Sequence, residues 1–340
     1  MGSNRVHYFK KKFQNMLMSI MLVVGIFSAD VFECGLSANS KHDKIWRPFP
    51  ENAPKSPTSK MIRMFIVGGT RALEGAWPWY TLIKYRSLND GKLYICGGSL
   101  ISANHVLTAA HCAVEMSVED TNVSIGTTLS GIKLKKKFIY SKYSANMEKS
   151  PRQLHDIAIL QLSTQVQFTE HRRPISISSP PSYLANISAY VTGFGAYNVG
   201  DDIGTAASDY LQQTRLPLLT KEDCSQRWRK LKSYGGGFDI ASTQLCAGSL
   251  GHGTAQGDSG GPLMIRNDEG QWYQIGITSF GINTGPGYYD QNMAPGIYTR
   301  VSSYCEFISS STNGEVPCDS GNYHLRTLAT FMLLLTASLS

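Results

Sequence analysis

Residues 66 to about 312 predict an all-β fold, a sandwich or barrel built from many short strands. Apolar runs of strand length, rich in β-branched and aromatic residues, recur along this stretch: TLIKY, LYICGGSLI, HVLTAA, IAILQL, AYVTGFG, YQIGITSF and GIYTRV. Gly, Pro, Asn and Ser break them at turn-like intervals. Helical periodicity is weak until Ser302–Ser310. With 17% charged residues, 42% hydrophobic residues and 32 glycines, the 340-residue chain is neither a disordered polyelectrolyte nor a coiled coil.

The flanks read differently. Residues 1–29 carry Arg5, Lys10, Lys11 and Lys12 and no acid, then the apolar run Met16–Phe27 and a small-residue exit at Ser28-Ala29. That is a secretory signal pattern; a retained membrane anchor is the alternative, although the run is shorter than the ~20 residues a span needs. Residues 30–65 are rich in Ser, Pro and Lys and read as a propeptide or linker. Residues 319–340 place the small residues Asp319, Ser320 and Gly321 and a polar spacer before the apolar Leu328–Leu339. This layout fits a glycosylphosphatidylinositol attachment signal, hence a protein secreted or held at the cell surface.

The formal net charge of +7 belongs to these flanks. Residues 1–29 hold four bases, residues 30–65 six bases and four acids, and Arg326 adds one base. Residues 66–319 hold 21 bases and 21 acids, which removes the case for a nucleic-acid partner. The cluster Lys133, Lys135, Lys136 and Lys137 reads as a solvated loop or strand edge, or as a docking point for a protein partner or inhibitor. No metal pattern such as His-Glu-x-x-His is present, and no cofactor is expected.

Three short segments carry chemistry. Thr108-Ala109-Ala110-His111-Cys112 sets a histidine beside a cysteine, and His155-Asp156-Ile157 puts an acid at the mouth of an apolar strand. Gly257-Asp258-Ser259-Gly260-Gly261-Pro262 sets a serine among glycines whose backbone N–H groups can face a substrate. In the order His, Asp, Ser, and with Ile66-Val67-Gly68-Gly69 upstream, they resemble the trypsin/chymotrypsin family of serine proteases over about residues 66–312. The resemblance implies two six-stranded antiparallel β-barrels, about 66–172 and 185–300, with the active site between them and a short C-terminal helix. It implies a serine endopeptidase domain over 66–318, acting on protein or peptide substrates and open to proteinaceous inhibitors. A catalytically silent homologue that serves as a binding or regulatory protein is the alternative; it needs a broken triad or oxyanion hole.

By that resemblance His111 is the general base, Asp156 its orienting acid and Ser259 the nucleophile. The backbone N–H groups of Gly257 and Ser259 form the oxyanion hole, and Ser279 supports Asp156 and pairs with substrate backbone. Cleavage before Ile66 frees an amine that pairs with Asp258. Phe65, not the usual basic residue, precedes Ile66, so either a chymotrypsin-like cut falls after Phe65, or cleavage after Arg63 is followed by trimming of Met64-Phe65. Gly253 takes the pocket-base position where trypsins carry an aspartate. Thr254, Phe280, Gly281 and Gly296 complete the substrate-binding set, Gly281 and Gly296 keeping the walls open. An uncharged pocket favours aromatic or large apolar side chains. Asp290, in the long Ile282–Pro295 loop, would change that preference if its carboxylate swung toward the pocket.

Seven cysteines leave one unpaired. Cys96 with Cys112 and Cys224 with Cys246 match family bridges, and a third common bridge is missing at Ala255. Cys34 tethering the propeptide to Cys305, or Cys305 pairing with Cys318, are the two remaining arrangements. Asn122 and Asn186 head glycosylation triplets.

Overall fold

The computed structural model describes residues 66–126, 129–144, 153–177, 187–195, 208–282 and 286–318. The expected signal, the propeptide with Cys34 and Phe65, Asn186 and the terminal apolar tail lie outside them. Among the described residues no helix is long and apolar enough to cross a membrane.

The fold is mostly β, in two antiparallel sheets. The first contains β2 (Tyr80–Arg86), β3 (Leu93–Leu100), β4 (His105–Thr108), β5 (Asn122–Ile125), β6 (Leu129–Ile132), β7 (Leu134–Ile139) and β8 (Ala158–Leu162), in the order β6-β5-β2-β3-β4-β8-β7. Its two end strands, β6 and β7, are separated in the chain by Lys133 alone, so the sheet curls until its edges meet through one bent strand. Register shifts at Val123/Ile125 and Leu134/Lys136 supply the bend. Counted as one strand, β6 and β7 give the six expected; counted by pairing they make seven. Along β2, Ile83 and Tyr85 turn inward while Lys84 and Arg86 face water, the period-two alternation of a sheet with one wet face.

The second sheet closes on itself. Strands β9 (Ser188–Gly193), β10 (Gln212–Leu219), β11 (Gln244–Ala247), β14 (Gly296–Arg300), β13 (Trp272–Phe280) and β12 (Pro262–Arg266) pair in a six-membered ring, β10-β11-β14-β13-β12-β9, with β9 returning to β10. The short β1 (Thr70–Arg71) adds to β10, Thr70 facing Gln213. Residues 66–71, expected in the first barrel, therefore belong to the second. Burial decides it: Ile66 is fully buried and packs in one cluster with Val191, Leu216, Leu263 and Tyr298.

The barrels meet over an aromatic seam, where Trp77 and Trp272 lie edge to face at 4.8 Å and Tyr190 stands 5.1 Å from Trp272. Buried donors there find partners across the seam. The Trp79 indole donates to Met264 Sδ (2.9 Å) and the Ser99 hydroxyl to Gln274 Oε1 (2.5 Å).

Among the described residues four short helices decorate the barrels: α1 (Ala110–Glu115), α2 (Lys221–Arg229), α3 (Pro286–Tyr289) and α4 (Cys305–Ser311). The ends of α2 hold it: Thr220 Oγ1 accepts the Asp223 N–H (3.1 Å), with acids in the first turn and Arg227 and Arg229 in the last. After a 3₁₀ turn at Val301–Tyr304, α4 crosses back to the first barrel, whose core takes in Ile308 and Val316. The chain then reverses at Asn313 and Gly314, both with positive φ (51° and 77°), which brings Cys318 to 5.1 Å from Cys305, Cα to Cα. These two form a disulfide, so Cys305 is closed to the tether with Cys34. The bridges Cys96–Cys112 and Cys224–Cys246 form as expected.

Candidate active site

The helix that carries His111 is six residues long, too short to hold itself. Its first turn has no side-chain cap of its own. The missing acceptor is Asp156: one carboxylate oxygen accepts the His111 backbone N–H (2.8 Å) and the other takes the His111 Nδ1 (2.7 Å). One acid thus caps the helix and aims the ring. At the other end the Lys137 ammonium donates to the carbonyls of Ala113 (2.8 Å) and Met116 (2.6 Å). Sequence reasoning placed Lys137 in a solvated run; Lys135 and Lys136 are exposed on β7, but Lys137 turns inward.

Asp156 is itself fully buried. It follows His155, whose φ of 63° and 3.0 Å contact from Nδ1 to the Tyr304 hydroxyl turn the chain so that the next side chain enters the core. The Ser279 hydroxyl donates to Asp156 Oδ2 (2.5 Å), and Thr299 Oγ1 donates to the Asp156 carbonyl (2.9 Å). Burial would raise the Asp156 carboxyl, but the charge of His111 and the hydrogen bonds from His111 and Ser279 hold it below its ordinary value. Burial in turn would lower the His111 imidazole, and Asp156 more than reverses this, so the ring titrates above its usual value.

Ser259 comes from the other barrel. Its carbonyl accepts the Gly97 N–H (2.7 Å), next to Cys96. Cys96 is bridged to Cys112, whose sulfur lies 3.6 Å from His111 Nε2 and 3.8 Å from the Ser259 carbonyl. A Cβ on Gly260 would overlap Thr108 Oγ1 and crowd the Gly97 carbonyl, so the serine turn presses against the strand leading to His111. The grouping of Cys96, His111 and Cys112 has metal-like spacing, but both sulfurs are spent in the disulfide. Gly257 has φ 96°, a conformation that a side chain would strain.

Asp258 points away from this cluster into the second barrel, 1% exposed. Its carboxylate accepts the Gly195 and Ala255 N–H groups, both at 2.8 Å, and sits where a Cβ on Gly193 or Gly195 would be. Burial pushes its pKa up to about 7 against those two hydrogen bonds. Ile66, at φ 43°, carries a β-branched side chain in the left-handed region, a genuine strain in the backbone just after Phe65.

Gly253, Thr254, Gly281 and Gly296 lie near one another, with one addition. A Cβ on Gly253 would overlap the carboxamide of Gln291, and one on Gly281 would lie 3.9 Å from the Gly296 Cα. Phe280 packs on Trp228, ring centres 5.6 Å apart. Asp290 does not swing inward: its Oδ1 accepts the N–H groups of Asn292 (3.0 Å) and Met293 (3.2 Å) in its own turn. Gln291 enters instead, and its Nε2 donates to the Thr254 carbonyl (2.7 Å). Asn122 opens β5, half-buried, with its amide near the Asp120 carbonyl (3.5 Å).

A family model described as Trypsin matches residues 66–308. The chain belongs to the trypsin family. It is 33% identical over 255 residues to the human transmembrane protease serine 11A, covering 73% of this chain and 55% of that protein. It is 32% identical to the venom serine protease Bi-VSP of Bombus ignitus (76% of this chain, 71% of that protein) and 31% identical to bovine coagulation factor XI (74% and 39%). The chain thus spans about half of the human relative and less of the bovine one. Membership accounts for the two-barrel fold, the disulfides at Cys96–Cys112 and Cys224–Cys246 and the His, Asp, Ser order. Gln291 and the inward turn of Lys137 are features of this trypsin-family chain that its motifs did not announce.

Proposed function

We propose that this chain is a serine endopeptidase, made as a zymogen and acting outside the cell, that cleaves through an acyl-enzyme after aromatic or large apolar side chains. The observation that carries the reading is the His111 imidazole, held on buried Asp156 at 2.7 Å, with Cys112 Sγ lying 3.6 Å from its Nε2 and 3.8 Å from the Ser259 carbonyl. A serine hydroxyl is a weak nucleophile at neutral pH and needs such a base. Ser259 Oγ attacks the scissile carbonyl while His111 takes its proton, and Asp156 stabilises the imidazolium. The N–H groups of Gly257 and Ser259 receive the developing oxyanion, a contribution typically worth about 3–4 kcal/mol. His111 then protonates the leaving amine, and water repeats the sequence on the acyl-enzyme.

Asp258 and Ile66 support the zymogen reading. In the uncleaved chain a buried carboxylate without a cation is driven toward protonation, and a strained isoleucine follows the bond to be cut. Cutting that bond frees the Ile66 backbone and supplies an ammonium, which answers both. The uncharged pocket accepts Phe65, so the enzyme activates itself. Three disulfides, and relatives named as venom, coagulation and transmembrane proteases, support an extracellular or surface location.

The test is a fluorophosphonate probe on the processed protein. Wild type should label at Ser259 and Ser259→Ala should not; an unlabelled wild type means a silent homologue. Purified Ser259→Ala protein should also keep its Phe65–Ile66 bond intact, and full cleavage in that variant refutes self-activation.

A further inference from the structure

Gln291 is 4% exposed, yet its Oε1 has no hydrogen-bond partner. Its orientation is fixed. The Thr254 carbonyl can only accept, so the amide nitrogen must face it, at 2.7 Å, and the oxygen must face the other way. The oxygen faces three residues without side chains, Gly253, Gly248 and Gly296: a Cβ on Gly253 would overlap it, and a Cβ on Gly296 would lie 3.4 Å from it and 3.2 Å from the Tyr298 hydroxyl. The Tyr298 phenol, raised by burial and facing Thr254, stays neutral. The carboxamide also fills the volume that a side chain on Gly253 would take. A loop residue therefore supplies what Gly253 lacks. A buried acceptor left unpaired is costly and rare, and one ringed by glycines beside Gly253 is placed to meet a donor that a substrate brings.

We propose that Gln291 is the base of the primary specificity pocket and that its Oε1 reads a hydrogen-bond donor at the tip of the side chain preceding the scissile bond. An uncharged pocket lined by glycines suits an aromatic side chain, and the acceptor at its base selects tyrosine over phenylalanine. A neutral acceptor gives lysine and arginine no counter-charge. This rests on the endopeptidase reading and refines it from aromatic to hydroxyl-bearing aromatic.

The experiment uses processed protein whose active-site concentration is set by fluorophosphonate titration. Peptides differ only in the residue before the scissile bond: tyrosine, phenylalanine or O-methyltyrosine, which cannot donate. Tyrosine should exceed phenylalanine in kcat/KM by on the order of tenfold, with O-methyltyrosine no better than phenylalanine. Gln291→Leu should level tyrosine and phenylalanine. Gln291→Glu, which keeps the shape, should bring in lysine and arginine substrates. Phenylalanine equal to tyrosine in the wild type overturns the proposal, as does a tenfold ratio that survives in Gln291→Leu. Should the leucine variant fail to fold, the wild-type series and Gln291→Glu decide. A processed protein that takes no fluorophosphonate overturns the endopeptidase reading itself, a result separate from any ranking of peptides.

Discussion

The two halves of the cleft are held by different means. On the His111 side every oxygen of the buried acid is engaged: Asp156 receives His111 twice and Ser279 once, and its carbonyl takes Thr299. The Cys96–Cys112 bridge ties the His111 helix to β3, whose Gly97 N–H meets the Ser259 carbonyl. On the pocket side no disulfide joins the loops around Ala255 and Gln291; hydrogen bonds do, from Gln291 to the Thr254 carbonyl and through the bridge of Leu250 with Asp290, and Gln291 Oε1 and the Asp258 charge are left unmatched. The first half is satisfied before any substrate or cleavage arrives. The second keeps open valences, and each marks an event: cleavage at Ile66 for Asp258, substrate for Gln291.

The largest effect should come from breaking the satisfied half. Asp156→Asn keeps the shape but cannot hold the imidazolium, and should cost about 10⁴ in kcat. In the wild type the acidic limb of kcat/KM should lie above the ordinary imidazole value, because Asp156 raises His111. The asparagine variant should move that limb to lower pH. Stopped or initial-rate kinetics from pH 5 to 9 measure both, and an unmoved limb would detach Asp156 from the titration.

The unmatched charge predicts a pH effect of opposite kind, next in size. In uncleaved Ser259→Ala protein, Asp258 titrates near 7 when folded and near its ordinary value when unfolded. Below about pH 4 both states are protonated and nothing is lost. Between about 4 and 7 only the unfolded state ionises, so stability falls as pH rises, by on the order of 4 kcal/mol in total. Adding Asp258→Asn should flatten this fall, and cleavage before Ile66 should flatten it too. Denaturant titrations of the three proteins across that window make the comparison; equal slopes would remove Asp258 as the switch.

How legible each half was in the sequence follows the same division. His111, Asp156 and Ser259 each sit in a local run whose neighbours serve the same site, so the motifs locate them. The strands were legible where apolar residues alternate, as in β2. Residue 66–71 pairing with β10 was not, because a two-residue strand has no period. Gln291 was hidden for another reason: one turn decides which of two adjacent side chains enters the pocket. Asp290 spends its carboxylate on Asn292 and Met293, and that leaves its neighbour to point inward. Lys137 was hidden by its companions, since charge alone does not say which of Lys135, Lys136 and Lys137 meets a helix end.

The Cys305–Cys318 bridge closes a 13-residue separation at the C-terminal helix, on the side of the first barrel. Replacing both with serine should lower stability by about 3 kcal/mol in the chain-entropy account and leave kcat/KM unchanged. Thermal denaturation and initial rates on the same preparation test it. A loss of activity at intact stability would mean that α4 communicates with His155 and Asp156 through Tyr304, which contacts His155 Nδ1 at 3.0 Å.

The smallest effect, and the sharpest on the comparison, concerns Lys137. Its two hydrogen bonds hold the end of α1 opposite Asp156, so the satisfied half depends on a cation that comes from the strand next door. Burial lowers the Lys137 ammonium, yet Glu119 offsets part of that, and the group remains a donor at neutral pH. Lys137→Met leaves the Met116 carbonyl without this partner and should cost about 1–2 kcal/mol of stability, after allowance for its partial exposure. Because the helix it frees carries His111, kcat should drop several-fold while KM for a small peptide stays near wild type. Lys135→Met and Lys136→Met, on exposed positions of the same strand, should change neither. If all three variants behave alike, α1 is held by Asp156 alone and the two-ended clamp on His111 is wrong.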